Sequence, residues 1–261
     1  MGINSINYIG KNKSGNQGNM KRKIHLFINS VLIKLGFELL KFPSGSLKKR
    51  IELLKRFNIG IILDVGANTG QFAGNVRKAG YKGEIVSFEP LTKAFSQLEK
   101  RTENDKKWIA EKIGLGDFDG ESVINISQNL VSSSILNIKK EHTDAEPDSK
   151  YIAQEKITIR KLDSIFNKYE QVGRNLFLKI DTQGFEKEVI LGAANSLEKI
   201  TGLQVEMSLV ECYDGEMMYN DLKNLIENYG FGLYYLEPGF SDPVTGKLMQ
   251  VDGIFFRNRK D

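Results

Sequence analysis

The sequence predicts an α/β protein built on a mostly parallel sheet with helices on both faces. Three observations carry this expectation. Short runs rich in β-branched and other apolar residues, at 61–65, 84–88 and 175–180, alternate with segments of helical periodicity. Each of these runs ends in or just before an acid: Asp64, Glu89 and Asp181. After the first run, Gly66 and Gly70 bracket a turn that opens into a helix, and a glycine has no Cβ to obstruct a ligand or a sharp bend. In open α/β sheets the crevice at the carboxyl ends of the strands is the ligand site.

The 261 residues suit one such domain preceded by an extension. Residues 1–19 are rich in Gly, Asn, Ser and Lys and are predicted to be disordered. From 20 to 42 the apolar residues Ile24, Phe27, Ile28, Val31, Leu35, Leu39 and Phe42 recur at helical spacing, decorated by Lys21, Arg22, Lys23, Lys34 and Lys41. Such a stripe either packs on the domain or a partner subunit, or lies on an anionic membrane surface as a peripheral contact. After Pro43-Ser44-Gly45 a second helix covers 46–57. The expected division is therefore 1–19, a helical extension over 20–57, and the main domain over 58–261.

Composition narrows the class. A formal charge of +4, much of it near the N-terminus, gives no nucleic-acid footprint over the whole surface. One cysteine, Cys212, offers neither a disulfide framework nor a zinc cluster, and His25 and His142 are too far apart to form a ligand set. No secretory signal is visible, and the apolar run at 26–33 is far short of the roughly 20 residues a bilayer span needs. A reducing, cytoplasmic setting is expected.

The remaining elements follow in order. Residues 71–78 form the first crossover helix and 84–90 the second strand. Glu89 falls at about the 20-residue interval at which an acid reaches the ribose hydroxyls in nucleotide-binding βαβ units. A helix over 93–101 leads to a third strand over 108–113, then to the glycine turn Gly114-Leu115-Gly116-Asp117. Residues 121–162 interrupt the alternation. Two strands there flank a polar loop with Asn129, Ser132, Ser133, Ser134 and His142, expected to act as part of a lid with substrate contacts, or else as a solvated loop. A helix runs from 182 to about 194, strands lie at 202–207, 231–236 and 251–256, and the last two pair as a hairpin.

The Gly66-x-x-x-Gly70 spacing lacks glycines of the dinucleotide fingerprint, so a nicotinamide-dependent oxidoreductase is disfavoured. The blocks Asp64-Val65-Gly66-Ala67-Asn68-Thr69-Gly70-Gln71-Phe72, Phe88-Glu89-Pro90, Leu115-Gly116-Asp117, Leu178-Lys179-Ile180-Asp181-Thr182-Gln183-Gly184-Phe185-Glu186, Val205-Glu206-Met207 and Asp252-Gly253-Ile254-Phe255 resemble the FkbM family of S-adenosylmethionine-dependent methyltransferases. The resemblance spans about residues 58–257. It implies a class I, Rossmann-like methyltransferase domain with a seven-stranded sheet, and an O-methyltransferase acting on a hydroxyl of a sugar, glycan or related secondary metabolite.

Carried onto this sequence, the resemblance implies S-adenosylmethionine held by Asp64, Gly66, Asn68, Gly70, Gln71, Glu89, Pro90, Leu115 and Asp117. Asp181 is the candidate general base, or a ligand for a divalent cation such as Mg²⁺ with Glu206 and Asp252. His142 is a second base candidate. A non-catalytic, membrane-peripheral scaffold on the same fold is the remaining alternative. Acceptor choice is expected to reside in the 121–156 insertion and the 236–250 loop, which carry no readable motif.

Overall fold

The computed structural model describes residues 45–170 and 173–258, together with Phe27, Ile28, Ser30, Leu32, Phe42 and Pro43. The chain divides into two compact units, Met1–Ser44 and Gly45–Asp261. In the first, Phe27, Ile28, Ser30 and Leu32 are helical; the rest of the predicted amphipathic helix, and residues 1–19, lie outside the described residues. No helix among the described residues is long and apolar enough to cross a membrane.

In the second unit a seven-stranded sheet is assembled from β1 (Ile59–Val65), β2 (Glu84–Phe88), β3 (Trp108–Glu111), β7 (Asn175–Ile180), β8 (Ile200–Ser208), β9 (Phe231–Pro238) and β10 (Gln250–Arg257). The spatial order is β3-β2-β1-β7-β8-β10-β9. The first five are parallel neighbours, and β10 runs antiparallel between β8 and β9. Strand order reverses between β1 and β7, and open α/β sheets form their ligand crevice at such a reversal.

Alternation along β1 sends Ile61, Leu63 and Val65 to one face and Ile62 to the other. A register shift between Ile59 and Ile61 moves Ile59 onto the Ile62 face, which explains why the two ends of one strand serve different cores. One face is covered by the helices α5 (Leu162–Ile165), α6 (Glu186–Leu191) and α7 (Tyr219–Asn228). The other is covered by α1 (Gly45–Arg56), α2 (Gln71–Lys78) and α3 (Thr92–Thr102). Grouped with the extension on sequence grounds, α1 in fact buries Ile51, Leu53 and Leu54 in this second core.

Two expectations change. The third strand stops at Glu111, and Gly114–Leu115 is not a plain turn but a short strand, β4. It pairs with β6 (Tyr151–Arg160), which pairs in turn with β5 (Gly120–Ser127), giving a second, three-stranded sheet. The helix expected over 182–194 is regular only through Glu186–Leu191.

Phe57, just beyond α1, stacks on Phe256 of β10 with ring centroids 3.7 Å apart and meets Tyr234 edge-on. This aromatic contact clamps α1 to the antiparallel edge of the sheet. Phe57→Ala is expected to lower unfolding free energy by about 3 kcal/mol. In urea melts this should appear as a lower midpoint with an unchanged slope.

Candidate active site

At the carboxyl edge of β1 and β7 lies a cavity of about 260 Å³. Its floor is the β1–α2 turn, Val65 to Asn68, with Gln71 and Phe72 from α2. One wall carries Glu89, Pro90 and Leu91 from the end of β2, with Gly114 and Leu115 from β4. The opposite wall holds Lys179, Asp181, Thr182, Gln183 and Phe185. The second sheet closes the space with Ile124, Ile157 and Ile159, and the loop after β5 adds Leu130, Val131, Ser133 and Ile135.

Gly66 has φ 70°, and a Cβ there would lie 1.8 Å from the Asp181 carbonyl oxygen. Gly70, at φ 83°, would push a Cβ to within 2.9 Å of Leu98 and of Trp108. Both positions require glycine, because a Cβ at either would meet the protein itself. Gly70 stands outside the cavity lining, at the start of α2, where no side chain caps the helix. Asn68 receives the Thr69 N–H on its Oδ1 and donates Nδ2–H to the Leu130 carbonyl at 3.1 Å.

Glu89 is buried, and its two oxygens accept N–H bonds from Asn68 at 2.8 Å and Leu91 at 2.9 Å. Burial pushes its carboxyl up to about 7, against the pull of those two donors. Glu89 lines the cavity, and a carboxylate oxygen with one donor retains further acceptor capacity, the chemistry a vicinal diol needs. Asp64 is fully buried and absent from the lining: its Oδ2 accepts from Ser87 Oγ at 3.0 Å, and its Oδ1 lies 3.3 Å from Lys179 Nζ.

Lys179 is the buried cation of the site. Its Nζ is 3.3 Å from Asp64 and 3.4 Å from Asp181, and it donates to the Gly66 carbonyl at 3.1 Å. Burial works against its charge, but the carboxylates of Asp181, Asp64 and Asp252 outweigh it and hold the ammonium well above its ordinary range. Asp181 keeps 35% of its side chain exposed and faces the cavity. Behind it Glu186 accepts from the Thr182 N–H at 2.7 Å, and burial pushes Glu186 up to about 8.

The other predicted residues separate. Gln71, Pro90 and Leu115 line the cavity, whereas Asp117 is exposed and does not. His142 is buried outside the lining, stacked on Phe240 and edge-on to Tyr213, with Nδ1 unpartnered; burial lowers it to about 4. The structure thus does not bring this second base candidate to the cavity. The carboxylates Asp181 and Glu206 share the Gln183 amide, which donates to each at 2.8 Å, and Asp252 accepts from Gln204. An N–H donor occupies the place between the first two candidate metal ligands, and no group of three or more His, Cys, Asp or Glu among the described residues is arranged to hold a metal ion.

Residues that sequence reasoning missed are mostly apolar: Phe72, Ile124, Ile157 and Ile159, together with Lys179 and Gln183. Ile157 and Ile159 carried one available signal, since their period of two within 151–160 marks a strand with one apolar face.

The model of the methyltransferase FkbM domain matches residues 64–233. The chain is 23% identical over 201 residues to Methyltransferase 1 of Beauveria bassiana, covering 73% of this chain and 79% of that protein. It is also 23% identical over 195 residues to the 2-O-methyltransferase NoeI of Sinorhizobium fredii, covering 72% and 80%. Among solved structures, magnesium protoporphyrin IX methyltransferase from Synechocystis PCC 6803 aligns with a TM-score of 0.46 at 10% identity, covering 91% of this chain and 97% of that one. With the family match spanning most of the sheet and the cavity it builds, the chain belongs to the FkbM family of S-adenosylmethionine-dependent methyltransferases.

Proposed function

We propose that the enzyme methylates a hydroxyl of a sugar, glycan or related secondary metabolite. The observation that carries this reading is Asp181, a half-buried carboxylate on the cavity wall whose oxygens are held by Lys179 and Gln183. NoeI, named as a 2-O-methyltransferase, supports the choice of an oxygen acceptor. When bound, S-adenosylmethionine would supply a sulfonium methyl group to an incoming oxygen in line with the C–S bond, the C–O bond forming as the C–S bond breaks and S-adenosylhomocysteine leaves.

Asp181 takes the hydroxyl proton as that bond forms. Glu89 would accept the ribose hydroxyls, and Gly66, Asn68, Gln71, Pro90 and Leu115, which line the same cavity, would hold the rest of the cofactor. Asp64 acts behind them, as the counter-charge that anchors Lys179. Leu130, Val131, Ser133 and Ile135 form a roof that narrows access and limits water at the reacting atoms. This roof and Gln183, not a free histidine, meet the acceptor side.

Two outcomes test the reading. S-adenosylhomocysteine affinity should rise with pH, because the ribose hydroxyls need the ionised form of Glu89, whose carboxyl titrates at about 7 in the free protein. Calorimetry should show roughly tenfold weaker binding per pH unit below that point, a plateau above about pH 8, and a flat, weak response in Glu89→Gln. Methyl-labelled S-adenosylmethionine offered with a panel of neutral oligosaccharides should yield a base-stable methyl ether. Asp181→Asn should cut that turnover about 10²- to 10⁴-fold with homocysteine-product affinity within about threefold of wild type. Label recovered on nitrogen or as a labile ester would refute the oxygen acceptor.

A further inference from the structure

Gln183 has a left-handed backbone at φ 56°, a conformation that non-glycine residues adopt mainly where surrounding contacts enforce it. Four hydrogen bonds supply that constraint. Its Nε2 donates one N–H to Asp181 Oδ1 and the other to Glu206 Oε2, both at 2.8 Å. Its Oε1 accepts from the Tyr213 hydroxyl at 2.7 Å, and its main-chain oxygen accepts from Ser134 Oγ at 2.6 Å. The amide orientation follows from its neighbours: flipped, its oxygen would face the acceptor oxygen of Asp181 that its N–H now meets. Both N–H groups are consumed, so the side chain has no donor left for an acceptor molecule.

Asp181 is surrounded by charge. Lys179 stands beside it on β7, Asp64 on β1, Glu186 on α6, Glu206 on β8 and Asp252 on β10. Burial and the like charges of Asp181, Glu186 and Asp252 raise Glu206 well above the carboxylate range. A neutral amide with two N–H groups can serve both Asp181 and Glu206 without adding a charge; a carboxyl in its place would add a further anion, and an alkyl group would take the donor from Asp181 Oδ1 and leave Glu206 Oε2 with Gln250 Nε2 as its donor.

We infer that Gln183, oriented by Tyr213, is a positioning residue that holds Asp181 as a correctly turned proton acceptor and separates it from Glu206. The inference rests on Asp181 being the base. Tyr213 packs between the roof and the β7 loop, donating also to the Ser132 carbonyl at 3.3 Å, so the same pair links the roof's position to the state of Asp181.

The test uses two probes that need no acceptor. Sinefungin carries an amine where the transferable methyl sits, and S-adenosylhomocysteine carries nothing there. Their affinity ratio, followed by calorimetry from pH 5 to 9, reports the charge facing that position. Wild type should prefer sinefungin, and the preference should fade as Asp181 is protonated. Gln183→Met keeps the volume but removes both donors, and Gln183→Glu adds an anion. Each should move the midpoint of the preference upward by about one pH unit or more, since the ionised form loses its donor. Tyr213→Phe, which keeps the ring, should move it in the same direction by less.

Unshifted midpoints in the Gln183 variants, with Asp181→Asn abolishing the preference, would overturn the positioning role and leave Asp181 as the base. A preference that survives Asp181→Asn would overturn both. If one Gln183 variant fails to fold, the other and Tyr213→Phe carry the same readout.

Discussion

The crevice depends on one buried cation. Lys179 rises from β7 between Asp64 of β1 and Asp181, and so ties together the two strands at which the sheet reverses direction. A buried pair of this kind adds little net stability over an apolar substitute, but breaking it by removing one partner costs about 3–5 kcal/mol, because a charge is left alone in a low dielectric. The tie extends further. Trp108 Nε1 donates to Ser87 Oγ at 2.9 Å, and Ser87 donates to Asp64, so a continuous polar chain crosses β3, β2, β1 and β7 beneath the cavity. Gly66 belongs to the same constraint: the missing Cβ lets the Asp181 backbone close on β1, where the Asp181 N–H meets the Val65 carbonyl at 3.2 Å. Substituting Gly66 would therefore part the strands before it touched a ligand, which makes it a poor probe of binding.

On this rigid floor the second sheet builds the other half of the cavity. The serines of its polar loop are buried and hydrogen-bonded. Ser127 and Ser133 hydroxyls meet at 3.2 Å, Ser132 N–H is received by Asn129, and Ser134 reaches Gln183. Each such bond contributes only about 1 kcal/mol net, but leaving any one of these buried groups unmet costs more, so the loop has one well-defined path. Leu130 is held at φ 62° with its carbonyl receiving both Asn68 and Ser133, which locks the roof to the β1–α2 turn. The roof and the cofactor-side turn are thus parts of one hydrogen-bonded structure.

The sheet was legible because buried parallel strands must be apolar on both faces, and the runs at 61–65, 84–88 and 175–180 are. Glu89 and the Asp181 block were legible from strand ends and spacing. What remained hidden depends on partners distant in the chain. His142 reads as a loop residue, yet Phe240 and Tyr213 bury it, and nothing local in 140–145 announces them. Gly70 reads as part of a ligand loop because glycine spacing cannot tell a close approach of Trp108 from that of a cofactor. Lys179 reads as an ordinary alternating polar residue, and its burial between two acids appears only when β1 and β7 are laid side by side. Gln183 sits in the block that ends β7, but nothing local gives it a role; its meaning lies in bonds to Asp181 beside it and to Glu206, Tyr213 and Ser134 in three other segments.

The three acids that end β1, β2 and β7 show why position alone cannot assign a role. Asp64 is sealed from the cavity and bound to a cation and a hydroxyl, so it can neutralise but cannot reach a substrate. Glu89 is buried but open on one side, and two backbone donors hold it in a conformation suited to accepting hydroxyls. Asp181 alone is both partly solvated and in contact with the cavity wall beside Thr182 and Gln183. In the function proposed above, equivalent sites at the edge of one sheet serve as counter-ion, diol acceptor and proton acceptor through their surroundings, as paired carboxyls do wherever environment divides their chemistry. The division is enforced by neutral and cationic neighbours, Lys179 on one oxygen of Asp181 and Gln183 on the other, which orient the group without consuming every lone pair it needs for chemistry.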